Sequence, residues 1–124
     1  MTIQRGSERP EYWFEEGCWI TELSNDAKDP DLSVARARVA PGETTRWHAI
    51  DGITERYVII SGNGRVGLGD APEQSVAPGD VVVIASGRAQ RITNTGSDDL
   101  EFLALCTPRF RPECYRDLEA TDGG

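Results

Sequence analysis

Lysine is almost missing from this chain. Of 13 basic residues only Lys28 is lysine, the others being arginine, and His48 is the sole histidine. The 21 acidic residues outnumber the basic ones and leave a formal net charge of −8. Nucleic-acid binding rests on basic patches that neutralise phosphates, so no nucleic-acid partner is expected. A run of about 18 apolar residues is absent, so no membrane span is expected either. The polar and charged stretch from Met1 to Glu16 lacks the apolar core of a secretory signal, and a cytoplasmic location is the default expectation. The cysteines (Cys18, Cys106 and Cys114) are odd in number, widely spaced and without a Cys-x-x-Cys pair. That speaks against a disulfide framework or a structural zinc site. Cys106, inside an apolar stretch, reads as a small buried hydrophobe. Tandem repeats, low-complexity segments and helical periodicity of any length are missing too.

What the chain does have is turns. Its 124 residues allow one domain with a sizeable core. Turn chemistry recurs every 6–10 residues, at Pro41-Gly42, Gly62-Asn63-Gly64, Gly69-Asp70-Ala71-Pro72, Pro78-Gly79-Asp80, Ser86-Gly87 and Asn94 to Asp99. Between the turns lie strand-like runs at residues 17–23, 32–40, 65–68, 73–77, 81–84, 89–93 and 100–107, with one strand carrying His48 and another starting at Glu55. Val81-Val82-Val83-Ile84, a continuous β-branched run, reads as a strand buried on both faces. Residues 32–40 alternate, with Ala35, Ala37 and Val39 opposite Val34, Arg36 and Arg38, so the two arginines are expected on a solvated or interface face. Eight to ten short strands without a helix of note mean an all-β sandwich or barrel. Residues 113–119 are expected to add a short helical turn and 120–124 to fray.

The segment Gly42 to Gly62 places five residues between a glycine and His48, then Glu55, then six residues before the second glycine. It resembles the first motif of the cupin family. Gly79 to Asn94 resembles the second motif, with Gly79, Gly87 and Asn94 in register. The resemblance implies a single cupin domain over residues 1–124, a double-stranded β-barrel of two packed antiparallel sheets in jelly-roll style. Its core would span about 32–107, flanked by an arm (1–16) and an extension (108–124). It also implies a ligand set in which His48 and Glu55 stand at metal-binding positions. Ile50 occupies the place of a second histidine, Gln90 that of a third, and Ala85 that of a proline.

Strand alternation then groups the pocket: Arg46 and Ile50 with His48, Tyr57 and Ile59 with Glu55, Arg88 and Ile92 with Gln90. Three uses of this site stay open. His48, Glu55 and Gln90 could hold a divalent metal; oxygen-rich ligation favours Mn²⁺ or Fe²⁺, without excluding zinc or nickel, and no organic cofactor is implied. The incomplete histidine set disfavours oxygenase chemistry, so a metal-dependent lyase, isomerase or cyclase acting on a small molecule is the first expectation. Alternatively His48 and Glu55 form a metal-free acid–base pair suited to lyase, isomerase or cyclase chemistry. As a third use, the barrel is a non-catalytic pocket for a small molecule. Arg46 and Arg88 at a pocket mouth would grip an anionic group, or else they are surface residues. Tyr12-Trp13-Phe14, three aromatics on a polar arm, are expected to cover the barrel or to build a homodimer interface, since burying each is worth about 1.5–3 kcal/mol.

Overall fold

A computed structural model describes residues 2–119. It contains eleven strands: β1 (Glu11–Phe14), β2 (Cys18–Ser24), β3 (Ser33–Val39), β4 (His48–Ile50), β5 (Thr54–Ser61), β6 (Gly64–Leu68), β7 (Gln74–Val76), β8 (Val81–Ile84), β9 (Gln90–Asn94), β10 (Leu100–Thr107) and β11 (Tyr115–Asp117). They form two antiparallel sheets, ordered β1-β2-β3-β10-β5-β8 and β11-β4-β9-β6-β7. Neither sheet could stand alone, because each has one apolar face to bury. Phe102, Tyr57, Ile59 and Leu100 of the first sheet meet Val66 and Ile92 of the second in one core cluster. Ile50, Ile53 and Cys106 form a smaller one against Phe110 and Cys114.

The alternation in β3 is realised: Ala37 and Val39 are buried, Arg36 is exposed, and Arg38 lies on the outer face beside Trp19, bonded to Glu11 and Asp99. At Gly62 the backbone sits at φ +85°, and a Cβ there would lie 2.6 Å from the Asp99 carbonyl oxygen. Gly62→Ala is therefore expected to cost about 1–3 kcal/mol, read as a lower urea midpoint. An unchanged midpoint would mean that the turn relaxes freely.

Two expectations need correction. The run Val81 to Ile84 is an edge strand, not one buried on both faces: Val81 and Val83 are 56% and 63% exposed, and only Ile84 is fully inside. Its β-branched residues serve backbone conformation more than burial. The expected helical turn at 113–119 is a 3₁₀ turn at Pro112–Cys114 followed by β11, which pairs with β4 and edges the second sheet. The arm is itself a strand, β1, hairpinned onto β2. The expectation for 120–124 lies outside the described residues.

Candidate functional site

The hairpin between β1 and β2 turns through Glu15-Glu16-Gly17, closed by the Gly17 amide donating to the Phe14 carbonyl at 2.9 Å. Gly17 has φ +108°, a conformation that favours glycine there. The Arg46 amide donates to the Glu16 carbonyl at 2.7 Å, tying this turn to the entry of β4. Glu16 is thereby carried inside, and its Oε1 lies 3.5 Å from His48 Nε2. His48 and Gln90 are direct partners across β4 and β9, and Glu55 faces Cys106 across β5 and β10. Tyr115 of β11 stacks on the His48 ring, with centroids 5.3 Å apart and planes 19° apart. His48, Gln90, Glu55 and Glu16 are all buried.

Under the hairpin lies a cavity of about 80 Å³. Glu55, Tyr57 and Ile50 line it, as do Glu16, Glu22 and the inward aromatics Tyr12 and Phe14. Other expected lining residues lie elsewhere. Ile59 and Ile92 belong to the packed core, on the same strand faces as Tyr57 and Gln90 but deeper. Arg46 points to Asp117, with Nε 3.1 Å from its Oδ2. Arg88 donates to the Leu68 carbonyl at 3.2 Å and lines a separate cleft between β6, β7 and β8. The alternation argument fails for these arginines because β4 begins at His48 and β9 at Gln90, so neither arginine is in the strand whose period was extended to it. Among the described residues, no arginine, lysine or histidine lines the cavity. Tyr12 and Phe14 line this cavity, while 43% of Tyr12 and 55% of Trp13 stay exposed.

Burial dominates the electrostatics. It pushes Glu16 and Glu55 each up to about 7, and for Glu55 the Glu16 carboxyl adds to the rise. Burial also lowers the His48 pKa below its usual value. His48 Nδ1 lies 2.7 Å from the Arg46 carbonyl, which can only accept, so Nδ1 carries the proton. Nε2 then offers a lone pair toward Glu16, whose protonated carboxyl can donate to it. The pair is thus held neutral, not as an ion pair. The thiols of Cys18 and Cys106 donate to Glu16 Oε2 and Glu55 Oε2 at 3.6 and 3.9 Å, and burial raises both thiols far out of the ionising range. The Tyr57 hydroxyl donates to Gln90 Oε1. Gln90 is near enough to ease ionisation of Glu55, yet Glu55 Oε1 is buried without a hydrogen-bond partner.

A divalent ion at His48, Glu55 and Gln90 would need three free donors aimed at one point. Gln90 Oε1 is already held by Tyr57, and His48 Nε2 faces Glu16. Among the described residues, no three His, Cys, Asp or Glu side chains are arranged to hold a metal ion. The donor set does not fit a resident Mn²⁺ or Fe²⁺.

Sequence reasoning missed Glu16, Glu22 and Tyr115, and treated Cys106 as a plain hydrophobe. A signal for Glu16 was present: Glu-Gly between an aromatic run and an apolar strand is hairpin chemistry. Tyr115 gave none, because its place depends on β11 pairing with a strand some sixty residues earlier (Tyr115 opposite Ile50).

Comparison with known proteins agrees with this architecture. The cupin domain model matches residues 35–106. The oxalate-binding protein of Thermotoga maritima is 38% identical over 71 residues, 57% of this chain and 58% of that protein, so the chain matches little more than half of that relative's length. Among solved structures, a predicted oxalate decarboxylase from Thermotoga maritima has a TM-score of 0.74 at 27% identity, over 86% of this chain and 99% of that one. A Streptomyces nucleoside dehydratase has a TM-score of 0.79 at 16% identity, over 95% and 91% of the two chains, a likeness of fold alone.

Proposed function

This chain belongs to the cupin domain family, and on that premise we propose that it binds a small molecule beneath the β1–β2 hairpin and acts on it by metal-independent acid–base chemistry. One observation carries the reading. Glu55 lines the cavity with Oε1 buried and unpartnered, in surroundings that push its pKa up to about 7. A carboxyl held near neutrality is equally able to give and to take a proton at working pH, the property a general acid–base needs. Glu16 and neutral His48 stand behind it as a second proton-holding pair. Tyr57 fixes Gln90, and the Cys106 thiol donates to Glu55 Oε2, so the carboxyl is held in one orientation. Proton removal or delivery at one carbon or oxygen is the shared step of lyases, isomerases and cyclases. The dehydratase of the same fold is consistent with this reading as an analogy of class.

A non-catalytic pocket is the second reading, favoured by the apolar side chains Ile20, Ala37, Phe102 and Ala104 around the carboxyls. Carboxyl titration by carbon NMR, on protein with chelator and again with Mn²⁺, separates the readings. The expected curve shows Glu55 titrating near 7, unchanged by Mn²⁺, with that resonance missing in Glu55→Gln. Titration near 4.5, the ordinary value, would defeat the acid–base reading. A Mn²⁺-dependent displacement would defeat its metal independence.

A further inference from the structure

We infer that the ligand of this cavity is a small organic cation, an ammonium or alkylated amine. The inference deepens the proposed function by naming the ligand class for the same cavity, and rests on that cavity being the binding site. Three carboxyls, those of Glu16, Glu22 and Glu55, line the space, and among the described residues no basic side chain does. Arg9 acts on Glu22 from nearby but is not part of the lining. The remaining polar side chains on the wall are Ser33, Cys106 and tyrosine hydroxyls, none of which brings positive charge.

The aromatic complement points the same way. Tyr12, Phe14, Phe110 and Tyr115 line the cavity, as do the buried Tyr57 and Phe102. Phe14 packs edge-on against Tyr115 with centroids 5.1 Å apart, and Tyr57 lies against Phe102 at 4.4 Å. These mutual contacts hold the rings in place before any ligand arrives. Aromatic rings attract cations through their negative faces, and they do so most strongly where water is excluded. Carboxylates beside such rings complete the usual chemistry of an ammonium site. Once these carboxyls are ionised, an anion would meet like charge, and a neutral ligand would leave Glu55 Oε1 without a compensating charge. A cation would be met by the carboxyls and the rings together.

The test uses the full chain at about pH 8, where carboxyls of this kind are ionised. Calorimetry and thermal shift would compare tetramethylammonium, choline, the uncharged tert-butyl analogue of choline, and oxalate. Choline or tetramethylammonium should bind at least about ten-fold more tightly than the uncharged analogue, with no response to oxalate. Glu55→Gln and Glu16→Gln, each checked for a native circular dichroism spectrum, should each weaken cation binding by about ten-fold or more. If the uncharged analogue binds as well as choline, if oxalate binds better, or if neither cation shifts the melt at about 10 mM, the inference is overturned. The NMR titration on the same samples keeps the two proposals apart. Glu55 titrating near 7 without cation preference would spare the acid–base reading alone, whereas cation binding with ordinary carboxyl titration would spare this inference alone.

Discussion

Between about pH 5 and pH 8 the protein is expected to lose stability, by an amount that two buried carboxyls set. Glu16 and Glu55 ordinarily titrate near 4.5 and are pushed up to about 7 in the fold, chiefly by burial. A carboxyl with a raised folded pKa holds its proton more tightly in the native state than in the unfolded one. Its contribution is complete below the unfolded value and vanishes as pH rises through the folded value, so the loss falls between 4.5 and about 7. For either group the shift corresponds to about 3 kcal/mol, both side chains being too buried for solvent to screen it. His48 works in the other direction. Its depressed pKa makes it a source of stability above 6.5 that is lost on acidification, which trims the gain on the acid side without reversing it. Cys18, Cys106, Tyr57 and Tyr115 stand nearby, all pushed upward by burial, and stay protonated throughout. A melt at about pH 8 should therefore lie on the order of 10 °C below one at about pH 5. The double variant Glu16→Gln, Glu55→Gln should flatten the profile. A flat profile in the parent chain would show that these carboxyls are not buried in their neutral form.

That prediction depends on a residue the sequence did not point to, and the reason is physical. The barrel was legible because its signals are local: turns at Pro78-Gly79-Asp80 and Gly62-Asn63-Gly64, and alternation in β3, each fix a few residues of backbone without knowledge of the rest. His48, Glu55 and Gln90 were legible through the spacing of the two family motifs, and the structure brings them together across β4, β5 and β9. Glu16, Tyr115 and the fate of Arg46 were not legible. Each depends on long-range pairing: the arm folding back through the Arg46 amide, and the extension adding β11 to the second sheet. Arg46 was expected to grip a ligand, yet Asp117 on β11 takes its guanidinium. A residue that looks free along the chain finds a partner about seventy positions away.

His48→Ala is expected to produce the largest single loss. The imidazole is 1% exposed, donates through Nδ1 to the Arg46 carbonyl, presents Nε2 to Glu16 and stacks on Tyr115. Alanine removes all three contacts and leaves a ring-sized gap between β4 and β11. Cavity formation and the unsatisfied polar partners together should cost about 3–5 kcal/mol. His48→Gln, which keeps a polar group in that gap, should recover part of the loss. Urea unfolding with an unchanged slope would give both values. The metal-ligand reading makes a different forecast: loss of the imidazole would matter mainly in the presence of the ion, and the parent would gain stability from Mn²⁺ by mass action. On the present geometry the loss is the same with chelator as with Mn²⁺, because the ring's neighbours are a carbonyl, a carboxyl and a tyrosine of the chain itself. A penalty that appears only when Mn²⁺ is present would return His48 to the role of ligand.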